Sequence, residues 1–343
     1  MIPIRPRLIG RLTKMRILVT GGAGFIGANL CRELLARPGV ESVTVLDDFS
    51  TGSINNIDSL PVRVIRDTIL HRETVWDLVD QNDSIVHLAA QPSVPLSIMD
   101  PLWSHEINVN GTVGILEACR KFQKALVFAS SSAVYGQSQK LPISEDDAAA
   151  PVSPYAANKL AAEAYALAYA STYRFPAVAF RFFNVYGPLQ SPDHPYAAVI
   201  PSFIDAALHG RPLVIHGDGS QSRDFTYVGA LVSVLADAAL KTVASPAPVN
   251  LAFGTRTTIA DLARKIERFI GRSIDIQFAR SRIGDVRDSQ ADHRRLRALM
   301  PEAGDSPLDL GLRATIDWFK ASGQRTAIAH QRTQPTASAG AVV

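Results

Sequence analysis

Short β-branched runs alternate along this chain with longer stretches in which apolar residues recur every three to four positions. Arg16 to Thr20 reads as a strand that ends in Gly21-Gly22, and Phe25 to Leu35 carries an apolar helical stripe that stops before Pro38. Ser42 to Leu46, Val62 to Ile65, Ser84 to Leu88 and Ala125 to Ala129 are further buried-strand candidates. Leu102 to Phe122, opened by Pro101, predicts a long helix between the last two. Ser153 and Pro154 supply an N-cap and a first helical residue for the Ala-rich stretch Tyr155 to Tyr173, and the strand Ala177 to Phe182 follows. Strands and helices alternating at this spacing predict the α/β class: a Rossmann-like, doubly wound parallel sheet covered on both faces.

From Asn184 the texture changes to loops rich in Pro, Gly, His and Asp, such as Tyr186 to Pro195. A smaller C-terminal α/β substrate lobe is expected to begin there. On this reading, residues 15–183 and a returning segment of about 225–253 form the larger domain, and 184–224 with 254–320 form the lobe. Thr258 to Ile270 and Leu308 to Lys320 predict its helices, whereas 1–14 and 321–343 are expected to be tails without stable structure.

Composition narrows the function. At 343 residues and 47% hydrophobic the chain can bury a large core, and no apolar run approaches the roughly 18 residues of a membrane span. The net charge of +3 misleads, because five uncompensated bases lie in residues 1–16 and two in the tail from 321. Between 17 and 320 there are 28 bases and 32 acids. That acidic body argues against a nucleic-acid partner. Two cysteines, Cys31 and Cys119, cannot build a multi-bridge scaffold and are read as buried thiols. With no leader-type apolar stretch near the start, a cytoplasmic setting is expected. The eight histidines are scattered without metal-ligand spacing, and His87 reads as support for the loop after its strand.

Two constellations carry chemistry. Gly21-Gly-Ala-Gly24-Phe-Ile-Gly27 lies between a predicted strand and a predicted helix, where glycines let the backbone approach a pyrophosphate and the helix N-terminus offers free N–H groups. Asp47 stands 20 residues beyond Gly27 at the end of the second strand, where a carboxylate accepts ribose hydroxyls and repels a 2′-phosphate. NAD is therefore expected over NADP, with Arg63 and Arg66 the arginines whose placement bears on that choice. The second constellation is Tyr155-Ala-Ala-Asn-Lys159. Positions i and i+4 share a helix face, so an ammonium can approach the phenol. An ordinary tyrosine pKa of about 10 must come down toward about 7 for useful base catalysis, and a lysine or a pyridinium charge favours that.

Together with these motifs, His87-Leu-Ala-Ala-Gln91, Ser130 to Gly136, Arg181 to Pro188, Arg223-Asp224 and Arg282-Ile-Gly-Asp285 make residues 15–320 resemble the extended short-chain dehydrogenase/reductases. The nearest resemblance within them is to the nucleotide-sugar 4-epimerases of the UDP-glucose and UDP-N-acetylglucosamine type. The resemblance implies bound NAD, a UDP-sugar substrate, and Ser131, Tyr155 and Lys159 as catalytic residues. It implies that Gly21, Gly24, Phe25, Ile26, Gly27, Asp47, Asp48, Phe49, Ser50, Thr51 and Gly52 line the dinucleotide site. Asp67, Thr68, Leu88, Ala89, Ala90, Asn108 and Phe183 are expected there too. Ser93, Asn184, Val199, His216, Arg223, Arg282 and Ser289 are expected on the substrate, with Arg223 and Arg282 suited to a diphosphate by their planar donor pairs. A homodimer through helices 102–122 and 155–173 is implied as well.

Two positions bear on the reaction. Dehydratases of the family carry Asp-Glu directly after the catalytic hydroxyl, where this chain has Ser132-Ala133. By resemblance Ser289 faces the sugar C2 substituent, and a residue that small leaves room for an N-acetyl group. The alternatives are a uronic-acid 4-epimerase, a decarboxylase, a 4,6-dehydratase or a non-catalytic NAD-binding sensor.

Overall fold

The computed structural model describes residues 14–138, 140–192, 198–280, 287–304 and 306–333, with side chains through Ser322. The first half alternates as the hydrophobic pattern predicts: β1 (Met15–Thr20), α1 (Phe25–Leu35), β2 (Val40–Asp47), β3 (Arg63–Arg66), α2 (Arg72–Gln81) and β4 (Ser84–His87). After α3 (Val94–Met99), the predicted long helix is α4 (Pro101–His105), a π-helical turn (Glu106–Gly111) and α5 (Thr112–Phe122). Next come β5 (Ala125–Ser131), α6 (Pro154–Tyr173) and β6 (Ala177–Phe182). Ser153 caps α6 as expected, its side chain accepting the Ala156 N–H, with Pro154 at the first turn.

The remainder mixes short strands with helices: β7 (Val185–Tyr186), α7 (Val199–Leu208), β8 (Leu213–His216), β9 (Ser222–Arg223), β10 (Thr226–Tyr227) and α8 (Val228–Leu240). It continues with β11 (Val249–Leu251), β12 (Thr257–Thr258), α9 (Ile259–Ile270), β13 (Ile276–Ala279), α10 (Arg294–Leu299) and α11 (Leu308–Thr333). The last helix continues past Lys320, where its apolar period stops.

Seven strands pair in parallel in the order β11-β6-β5-β4-β1-β2-β3. Helices α1 and α8 close one face and α2, α5 and α6 the other, each over its own apolar cluster. The strand order reverses between β1 and β4, so a crevice opens at their carboxyl ends. A third cluster, built on α7, α9, α11 and the β8–β13 pair, forms a separate core beside it. Cys31 and Cys119 are buried on α1 and α5.

The β1–α1 turn is closed by steric necessity. A Cβ on Gly27 would lie 2.1 Å from the Gly21 carbonyl oxygen, and Gly21 itself has φ +71 with Ala89 N only 2.7 Å from where its Cβ would be. Beneath the neighbouring β4 end runs a fully buried polar chain. The Thr112 hydroxyl donates to the Asn108 carbonyl at 2.8 Å, so it accepts from His87 Nε2 at 3.1 Å. His87 Nδ1 then accepts from the Thr20 hydroxyl at 2.7 Å, which in turn accepts the Ala89 N–H at 3.3 Å. His87 is therefore a neutral imidazole that supports the loop after β4, as its sequence context suggested, and burial pushes its pKa down to about 3.

Two outcomes follow for stability. Gly27→Ala should cost about 1–3 kcal/mol because only backbone lies in the way, seen as a lower urea midpoint; an unchanged midpoint would contradict the tight turn. For His87 the folded pKa lies below the unfolded value of 6.5, so the unfolded chain binds the extra proton and stability falls as pH drops from about 6.5 toward 3. The wild type should lose about 1.4 kcal/mol per pH unit more than His87→Gln across that window. Parallel stability–pH curves for the two proteins would refute a buried neutral His87.

Candidate active site

A cavity of about 550 Å³ occupies the crevice at the switch in strand order. Gly21, Gly24, Phe25, Ile26 and Gly27 form its floor. The N-cap of α1 is Gly24, which brings no side chain, so the N–H groups of the first turn are left for an anion. Asp47 joins two loops at the wall: Oδ2 accepts the Ala23 N–H and Oδ1 the Phe49 N–H, each at 2.8 Å. Burial raises its pKa against those two hydrogen bonds. Asp47, Asp48, Asp67 and Asp100 line the cavity, and Lys159 is the one cation among its described lining residues. Phosphate-binding N–H groups at one place and several carboxylates for hydroxyl donors at another suit a dinucleotide and oppose an extra 2′-phosphate. Arg66, next to Asp47 in the β2–β3 register, lies over the Phe49 ring at 5.5 Å, and Arg63 donates to Gln81.

Ser50, Thr51, Leu88, Ala89 and Ala90 also line this cavity, whereas several other expected residues act from behind it. Gly52 packs against Ala23, and Thr68 caps the following turn by accepting the Leu70 N–H. Asn108 is buried in the π-helical turn and grips Gln91, accepting its N–H at 2.8 Å and donating to its carbonyl at 3.0 Å. Phe183 is fully buried against Tyr135, with ring centroids 6.2 Å apart, and Phe182 lines the cavity instead. Adjacent residues at the end of a strand point to opposite sides, and the inner position falls to Phe182. Among residues not singled out as site residues, Leu46, Ile69, Gln91, Pro92, Leu96, Met99, Trp103, Ile107, Ala129 and Ser130 also line the wall. Gln91 and Ser130 had a signal, as the last residue of the His87 to Gln91 motif and the first of the Ser130 to Gly136 motif.

Tyr155 and Lys159 both line the cavity from α6. Ser131 lines neither cavity; its hydroxyl accepts the Ala133 N–H at 3.2 Å and lies near enough to the Tyr155 phenol to oppose the rise in its pKa. Lys159 Nζ donates to the Ala129 carbonyl at 2.9 Å, and burial brings its pKa down to about 8. Proximity of the ammonium was expected to lower the phenol pKa. Burial instead raises it, and the Ser131 hydrogen bond is what opposes the rise. The chain alone therefore holds a protonated phenol, and a base at neutral pH needs a further positive charge.

A second cavity, about 970 Å³, opens on the smaller core and shares Pro92 with the first. It brings together Asn184, Val199, His216 and Arg223, all named from sequence. Arg223 Nη1 donates to the carbonyls of Ser222 and Arg287 at 2.9 and 3.0 Å. Its neighbour Asp224 is fully buried and accepts from Gly254 N, Ala291 N, Thr255 N and the Thr255 hydroxyl, which joins three loops behind the cavity. Ser93 caps α3 by accepting the Leu96 N–H. Ser289 is buried, with its N–H on the Ser222 carbonyl, and lines neither cavity. Arg282 lies outside the described residues.

Comparison with known proteins accords with this geometry. A UDP-N-acetyl-alpha-D-glucosaminuronate decarboxylase from Bacillus cytotoxicus is 34% identical over 321 residues, covering 90% of this chain and 98% of that protein. The structure of UDP-N-acetylglucosamine 4-epimerase from Methanobrevibacter ruminantium, in complex with UDP-N-acetylmuramic acid, superposes with a TM-score of 0.85 at 33% identity, over 90% of this chain and 99% of that one. The Thermus thermophilus UDP-glucose 4-epimerase complex with NAD gives a TM-score of 0.80 at 35% identity, over 90% of this chain and 100% of that one. A family model, the NAD dependent epimerase/dehydratase family, matches residues 17–252. With its glycine turn, its carboxylate-lined crevice and these relatives, the chain belongs to the NAD dependent epimerase/dehydratase family and is an enzyme whose cofactor is NAD.

Proposed function

We propose that this enzyme interconverts C4 epimers of a UDP-hexose, either UDP-glucose and UDP-galactose or their N-acetylated counterparts. The observation that carries the reading is that Tyr155 and Lys159 line one cavity, with Ser131 acting on the phenol from the end of β5, and that this cavity meets a second, Arg223-bearing cavity at Pro92. A nucleotide diphosphate in the second cavity would present its sugar to the phenol in the first. When bound, NAD supplies the hydride acceptor, the returning hydride and the positive charge that the chain lacks. Tyr155 takes the proton of the sugar 4-hydroxyl as C4 becomes a ketone, and the same phenol returns it after the keto sugar has turned over. Ser131 orders that proton by holding the phenol oxygen, and Lys159, fixed on the Ala129 carbonyl, keeps a cation in the wall. Leu88, Ala89 and Phe182 give the reacting region apolar walls that limit water.

Ser132-Ala133 offer no acid–base pair after Ser131, which favours epimerisation over dehydration. The relative named as a decarboxylase supports one other reading, loss of carbon dioxide from a uronate. Product mass separates the two. The purified enzyme, given UDP-glucose, UDP-galactose and their N-acetyl derivatives without added cofactor, should equilibrate one C4 pair at unchanged mass. Inertness toward all four, with mass loss from a UDP-uronate, would replace epimerase by decarboxylase. In Tyr155→Phe, turnover should fall by about 10²–10⁴ while NAD remains bound, as read by its absorbance in the purified protein. Near-normal turnover in that variant would remove Tyr155 from the mechanism.

A further inference from the structure

Tyr155, Lys159 and Glu163 fall at i, i+4 and i+8 on α6, a single stripe of the helix. Each meets a different one of the last three residues of β5. Lys159 Nζ donates to the Ala129 carbonyl at 2.9 Å, the Ser130 hydroxyl donates to Glu163 Oε2 at 2.6 Å, and the Ser131 hydroxyl sits beside the Tyr155 phenol and favours its ionised form. Two rungs of this ladder belong to the site. The third, Glu163, lines neither cavity, although Ser130 lines the first.

Glu163 is also fully engaged from the other side. Arg181 Nε and Nη2 grip its two carboxylate oxygens at 2.9 and 2.6 Å, and both side chains are over nine-tenths buried. The β5–β6 register pairs Ser130 with Arg181, so the donors converging on Glu163 are cross-strand neighbours. The chain of contacts continues. The Arg181 guanidinium lies 4.7 Å from the Tyr135 ring centre, and the Tyr135 hydroxyl donates to Asn250 Oδ1 at 2.6 Å. Asn250, opposite Arg181 in the β6–β11 register, donates to the carbonyls of Ile143 and Asp292 at 3.0 and 3.2 Å. A buried ion pair is a weak source of net stability, because desolvation offsets its attraction, but it fixes geometry tightly when every partner is directional.

We propose that Glu163 is a positioning residue for the reaction: by holding Ser130 and Arg181 on the α6 stripe, it sets the register of α6 on β5 and with it the Ser131–Tyr155 contact. This rests on the reading of Tyr155 as the proton acceptor. Glu163→Gln keeps one acceptor oxygen but cannot serve Ser130 and a two-pronged Arg181 together. Ser130→Ala removes one rung and leaves the ion pair whole, so it keeps the test open should the first variant not fold.

In steady-state assays on the full chain with bound NAD, kcat should fall about tenfold or more in Glu163→Gln, and by less in Ser130→Ala. KM and NAD occupancy should stay within about twofold. A second readout does not need turnover. The tyrosinate absorbance titration of each protein minus that of its Tyr155→Phe counterpart isolates the phenol, and both variants should move it to higher pH as the Ser131 donor is displaced. Folded variants with wild-type kcat and an unmoved Tyr155 titration would overturn the proposal. If the wild type turns over no nucleotide sugar, the functional reading fails while the titration still decides the role of Glu163.

Discussion

The site depends on how one helix is fastened to the end of one strand. Helix α6 carries the phenol and the ammonium, and β5 ends in Ala129-Ser130-Ser131, which supply a carbonyl and two hydroxyls as anchors. The Lys159 and Ser130 contacts are buried, so water cannot substitute for a lost partner, and a small displacement breaks them outright. The central strand position of β5, flanked by β4 and β6, keeps the anchor points fixed. Around that junction the two cavities have only to be brought to a common edge, and Pro92 provides it.

Buried polar groups do comparable work elsewhere, each joining segments far apart in sequence. The Thr20–His87–Thr112 chain ties the ends of β1 and β4 to α5, Asn108 holds Gln91, and Asp224 gathers Gly254, Thr255 and Ala291. Thr20, His87, Asn108, Thr112 and Asp224 each find hydrogen-bond partners, which offsets the usual cost of burying them. Asp224 also adjoins Arg223, and Asn250 reaches both Ile143 and Asp292.

Much of the fold was legible from periodicity, since α1 and β6 fall on the residues the pattern predicts and β5 runs two residues further to include Ser131. Helix α8 left no amphipathic signal because it is apolar on nearly every side, packed on the sheet beside α1. The glycine turn, Asp47 and the Tyr155/Lys159 pair were readable because their chemistry constrains residue type and spacing together. Phe182 and Glu163 were not. A choice between two adjacent phenylalanines is set by the final strand geometry, and a glutamate on an Ala-rich helix looks like any solvated charge until Ser130 and Arg181 are brought beside it. The pKa of Tyr155 was also beyond sequence, because helix spacing does not convey the burial that raises it.

The central claim is that one carbinol is oxidised and reduced again in the same enclosed site, with the phenol of Tyr155 handling its proton. Incubating the enzyme with a UDP-hexose carrying deuterium at C4, and following both epimers by NMR in ordinary water, tests this most directly. Full retention of the label at C4 in both epimers is the predicted result. Loss of the C4 deuterium to solvent, or inversion by cleavage at a different carbon, would contradict the account.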